Sequence, residues 1–73
     1  MNNQLFQQAR AAYAQKDFQG ALEVYQQCLQ DEASPLAPGE TGKLYHQMGN
    51  CLVKLKQPNE AIQAYGQAVA DEA

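Results

Sequence analysis

The sequence predicts an all-α fold: four helices in two antiparallel helix-turn-helix hairpins, stacked as a fragment of an α-solenoid. Three observations predict it. Shifted by 40 residues, the chain falls on itself: Gln7 on Gln47, Lys16 on Lys56, Ala21 on Ala61, Tyr25 on Tyr65, Gln27 on Gln67 and Asp31-Glu32-Ala33 on Asp71-Glu72-Ala73, with Leu22 over Ile62 and Leu29 over Val69. Apolar residues recur at spacings of three and four, and no stretch alternates with the period of a strand. Finally, 73 residues with 45% hydrophobic against 18% charged side chains describe one small folded domain, too small to hold a large cavity without emptying its core.

The first helix is expected from Asn3 to Gln15, with Asn3 as its cap and Leu5, Ala9 and Ala12 on one stripe. Only Lys16-Asp17 separates it from the second, Phe18 to about Glu32, which carries Phe18, Ala21, Leu22, Tyr25, Cys28 and Leu29 at helical spacing. So short a link forces the pair antiparallel. The segment 34–42 then holds two prolines and two glycines and reads as a loop. A third helix follows to about Lys56 with Leu44, Tyr45, Met48, Cys51, Leu52 and Leu55 on its apolar face. Gln57 precedes a proline and is pushed out of helical dihedrals, while Pro58 suits the first turn of a fourth helix running to about Asp71, with Ala61, Ile62, Tyr65, Ala68 and Val69 inward. The repeats are thus expected at about 3–33 and 42–73, joined by a loop at 34–41.

Charge and motifs exclude several classes. A net charge of −3 opposes nonspecific nucleic-acid binding, which relies on surplus Lys and Arg. No apolar run is long enough to span a membrane, and Met1-Asn2-Asn3-Gln4 lacks the basic flank and apolar stretch of a secretion signal, so a cytoplasmic location is the default expectation. Cys28 and Cys51 lie in no metal or redox spacing and read as reduced structural thiols. His46, the single histidine, stands in no nucleophile or acid–base motif, and Gly39, Gly42 and Gly49 do not form a phosphate loop. Neither an enzyme nor a cofactor or metal site is expected.

The spacing of small and large residues is more specific. In the second unit Tyr45-x2-Met48-Gly49-x2-Leu52 is followed nine residues on by Ala61-x3-Tyr65 and then Ala68; in the first, Leu5-x2-Gln8-Ala9-x2-Ala12 is followed at the same offset by Ala21-x3-Tyr25 and Cys28. This resembles the tetratricopeptide repeat across nearly the whole chain outside the loop. Gln8 stands where Leu is usual, Ala33 and Ala73 replace the closing proline, and the period is 40 where about 34 is standard, the excess lying between Pro35 and Gly42. An ordinary four-helix bundle with accidental self-similarity is the competing reading. The small residues Ala9, Gly49, Ala21 and Ala61 mark close helix approach, and Tyr25 and Tyr65 are expected to fill space toward the next helix.

The resemblance implies a noncatalytic protein-interaction module whose first helices line a groove for an extended peptide or a partner segment. On the first helix that face carries Asn3, Phe6, Gln7, Arg10, Tyr13 and Ala14; on the third, Lys43, His46, Gln47, Asn50, Val53 and Lys54. Phe6 and Tyr13 are either aromatic anchors for a guest or a cover for the open end of the first hairpin. All five basic residues, Arg10, Lys16, Lys43, Lys54 and Lys56, belong to a first helix or its turn, while Glu23, Asp31, Glu32, Glu60, Asp71 and Glu72 belong to the second helices. An acidic segment or a chain-terminal carboxylate is therefore the favoured ligand, and a solvated face of no preference is the equal competing reading, because the charges are few and salt screens them. Some relatives clamp the terminal carboxylate of chaperones with Lys and Asn. Here Phe6, Arg10 and Gln47 depart from that pattern and only His46 and Asn50 match in part, so chaperone binding is not expected. The alternative function is homo-oligomerisation: with no covering helix after Ala73, the edge Ile62, Tyr65 and Val69 faces water and invites another copy, or marks the N-terminal part of a longer array.

Overall fold

Two copies of one chain reversal set the architecture. In the computed structural model the described residues are 1–72, with side chains through residue 70. They form α1 (Asn3–Ala14), α2 (Phe18–Gln30), α3 (Glu40–Lys54) and α4 (Pro58–Glu72), with no strand among them. The expected close of the second repeat at Ala73 lies outside the described residues. After α1, Lys16 takes a left-handed conformation (φ 66°), its amide donates to the Tyr13 carbonyl at 2.9 Å, and the Asp17 amide reaches back to the Ala12 carbonyl at 2.9 Å. After α3, Lys56 (φ 61°) repeats this with bonds to Val53 at 3.0 Å and from Gln57 to Leu52 at 2.9 Å. Both are Schellman closures, usually made by glycine but here by lysine.

Local chemistry moves the helix ends by one or two residues. Asn2, not Asn3, caps α1: its Oδ1 accepts from the Leu5 amide at 3.1 Å, and its Nδ2 donates to Asp31 at 2.9 Å. Asp17 caps α2 by accepting from the Gly20 amide at 3.0 Å. That helix stops at Gln30, because Asp31 turns extended and its side chain takes the Ala33 amide instead. Gly39 (φ 87°) opens α3 in a conformation that favours glycine. Pro58 is the first residue of α4, as expected.

Packing runs α1 on α2, α2 on α3 and α3 on α4. The Cα envelope, 30 × 27 × 15 Å, is two helix layers thick, matching an axis separation of about 8–10 Å plus two helix radii. Phe6, Ala9, Ala21, Leu22, Tyr25, Cys28, Leu44, Met48, Cys51 and Leu52 form the core. The fourth helix departs from expectation. It buries Ala61, Ala64 and Ala68, whereas Ile62 and Val69, expected inward, are 69% and 67% exposed. Three alanines let α4 lie close on α3, and Gly49 makes that contact tight: a Cβ there would come within 2.6 Å of the Tyr65 ring.

Candidate functional site

A groove opens between the first helices of the two units, and its charge and shape come from both. Its centre is a pocket of about 370 Å³ lined by Phe6, Arg10, Tyr13, Ala14, Tyr25, Lys43 and Gln47. The floor is aromatic. The Phe6 and Tyr25 rings meet edge to face with centroids 5.6 Å apart, and the Lys43 ammonium lies 4.9 Å above the Phe6 centroid. Such a cation–π contact contributes about 0.5–1 kcal/mol and biases the ammonium toward the pocket. Burial, assisted by the neighbouring Cys51 thiol and opposed by Arg10, pushes the Tyr25 hydroxyl up to about 12. It stays neutral at physiological pH, so Arg10 and Lys43 set the sign of the field. Among the described residues no carboxylate lines the pocket.

Of the residues expected to line the groove, Phe6, Arg10, Tyr13, Lys43 and Gln47 converge here. Phe6 does so differently than expected: at 5% exposure it is core, a floor and not a free aromatic anchor. Tyr13 is half-buried, edge to face with Phe18 at 5.1 Å, so it both covers the end of the first hairpin and walls the pocket. Asn3, Gln7 and Lys54 are exposed but lie outside the pocket lining. His46 and Asn50 are drawn toward α4 instead: the imidazole packs 5.5 Å from the Tyr65 ring, and the Tyr65 hydroxyl donates to Asn50 Oδ1 at 2.6 Å. Tyr65, expected on the outer edge and filling space toward a next helix, is accordingly part of the α3–α4 contact. The Ala-x3-Tyr spacing marks Tyr25 as core and not as a groove residue. Its burial is indeed almost complete, yet it reaches the pocket from beneath.

The repeat correspondence survives in three dimensions. Phe6 on Tyr25 and His46 on Tyr65 are the same contact, 40 residues apart in sequence. Both cysteines are fully buried and free, and burial raises both thiols, Cys51 to about 11. Among the described residues, no helix is long and apolar enough to cross a membrane, and no group of three or more His, Cys, Asp or Glu side chains could hold a metal ion.

No curated protein and no solved structure gives a significant match to the chain. Family models do match, twice and in register with the two hairpins: one described as a tetratricopeptide repeat over residues 5–33, and a second, also a tetratricopeptide repeat, over residues 42–70. With helix pairs closed by equivalent turns and tyrosines packed equivalently in both, the chain belongs to the tetratricopeptide repeat family, as two tandem repeats.

Proposed function

We propose that this chain is a noncatalytic interaction module that takes an acidic peptide or partner segment in the groove between α1 and α3. Tetratricopeptide repeats are in general protein–protein interaction modules, which supports a protein partner. One observation carries the choice of an acidic one: Arg10 and Lys43, from different repeats, line one pocket over an aromatic floor with no carboxylate among its described walls. An acidic side chain entering there meets two cations, and the aliphatic part of the same side chain rests on Phe6.

The test compares a labelled peptide rich in Glu and Asp with one of equal length rich in Gln and Asn, by fluorescence anisotropy. Reversing Arg10 and Lys43 together to Glu should weaken the acidic peptide by about 2 kcal/mol, roughly thirtyfold, if each exposed charge contributes about 1 kcal/mol. Lys54→Glu lies outside the pocket and should change little. Equal binding of the neutral peptide, or an affinity indifferent to the double reversal, refutes the assignment.

A further inference from the structure

The internal repeat provides a ruler for judging which surfaces of the second unit are unusual. In the first unit, Leu22 is 7% exposed and Leu29 is half-buried, on a helix that α3 packs against. Forty residues on, Ile62 and Val69 are 69% and 67% exposed on α4. They are the same positions of the second unit, with no helix lying over them among the described residues.

A second, independent oddity lies between them. Gly66 sits in the interior of α4, exposed, where glycine weakens a helix by about 1 kcal/mol relative to alanine. Two other helical glycines have a reason within the chain: a Cβ at Gly49 would strike the Tyr65 ring, and one at Gly20 would overlap the capping carboxylate of Asp17. At Gly66 a Cβ would meet nothing within 4 Å. Ile62, Gly66 and Val69 stand at i, i+4 and i+7, one stripe with two β-branched walls and a gap wide enough for a close backbone approach.

Charge indicates what fits. The helix that covers α2 has a basic excess: α3 carries Lys43 and Lys54 against one acid, Glu40, with Lys56 following, buries Leu44, Met48 and Cys51 at i, i+4 and i+7, and lies on a unit whose second helix and its end hold Glu23, Asp31 and Glu32 with no Lys or Arg. From residue 57 to the end the chain again holds only acids, Glu60, Asp71 and Glu72. A second copy is a poor occupant. Its α1 presents exposed Gln4, Gln8 and Ala11 at the positions equivalent to Leu44, Met48 and Cys51, so head-to-tail stacking lacks an apolar face. Two α4 helices crossing antiparallel at Gly66 would bring position 60 of one near position 72 of the other, acid against acid in sequence.

We propose that the Ile62–Gly66–Val69 face of α4 docks an amphipathic helix of another protein, apolar at i, i+4 and i+7 and flanked by lysines or arginines, in the way α3 covers α2. This surface is distinct from the groove. The probe is a labelled synthetic peptide with the sequence of residues 40–56, Ala in place of Cys51, held helical by a side-chain crosslink on its solvent face and verified by circular dichroism. The 73-residue chain should bind it saturably. Gly66→Leu, and Ile62→Asp combined with Val69→Asp, should each weaken binding at least tenfold without loss of helicity, since all three sites are exposed. Arg10→Glu with Lys43→Glu should leave it unchanged, which separates this result from that of the groove. A peptide with its three lysines changed to Glu should bind more weakly. No binding, or equal binding to the α4 variants, overturns the proposal. So does a concentration-dependent dimer of the chain alone, seen by light scattering and abolished by Val69→Asp, because the occupant is then a second copy.

Discussion

The same substitution, Gly→Ala, should have opposite effects at two places in this chain, and the contrast isolates one packing contact. Both Gly49 and Gly66 lie inside helices, so alanine gains about 0.8–1.0 kcal/mol of helix propensity at either. At Gly66 the new methyl meets open space, and the gain is realised in full. At Gly49 it arrives 2.6, 2.8 and 3.0 Å from three carbons of the Tyr65 ring. The ring cannot swing aside freely, because its hydroxyl is tied to Asn50 at 2.6 Å and its face to His46. Overpacking of this kind costs about 1–3 kcal/mol. Propensity cancels between the two variants, so their difference in stability is the overpacking cost itself. Gly66→Ala should raise the melting temperature by about 4–8 °C, and Gly49→Ala should leave it unchanged or lower it by up to twice that amount. Thermal unfolding followed by circular dichroism measures both. With Tyr65→Ala as background, Gly49→Ala should recover its stabilising effect. If Gly49→Ala stabilises the unaltered chain as much as Gly66→Ala does, the tight α3–α4 contact does not exist.

Two further perturbations report on the loop and the core. Glu40 accepts from the Ala37 amide at 2.7 Å and from the Met1 amino group at 3.0 Å; the Ala37 bond first, then the amino group, holds its carboxyl below the ordinary range. A depressed folded pKa means stability that is present above the unfolded value of about 4.3 and is lost as pH falls through the folded value. Acid titration of stability should therefore be shallower for Glu40→Gln than for the unaltered chain, and equal slopes would refute the loop clasp. For the thiols, full burial and raised pKa values predict that Cys28 and Cys51 ignore a disulfide reagent at neutral pH until denaturant opens the core, when both react. Prompt labelling of either in the native state would contradict the packing.

How far the sequence discloses this molecule depends on how local each determinant is. The helices and turns are set within a few residues: Pro58 at a first turn, Lys16 and Lys56 at equivalent closures, small residues at the close approaches. All of that is legible from spacing. Which side of a helix a residue faces is legible only when the neighbour is. Ile62 and Val69 have the same spacing as Leu22 and Leu29, and periodicity assigns all four inward, yet among the described residues only the first unit has a helix lying over them. Ala61, Ala64 and Ala68 stand at i, i+3 and i+7, but Ile62, Tyr65 and Val69 offer the same spacing with larger apolar side chains, so periodicity alone does not single out Ala64.

The groove shows the same limit with a chemical consequence. Phe6 and His46 are equivalent in position and both rest on a tyrosine, yet one is buried and the other exposed. The difference comes from Lys43, which belongs to the neighbouring unit and lies across the Phe6 ring. No reading of the first repeat alone could assign Phe6 to a pocket floor, because the floor exists only once α3 stacks against α2 and carries a cation over it. A binding site made this way is a property of the junction between repeats. Its charge should therefore respond to substitutions in either unit, and Lys43→Glu alone should reduce affinity for an acidic ligand even though every residue of α1 is intact.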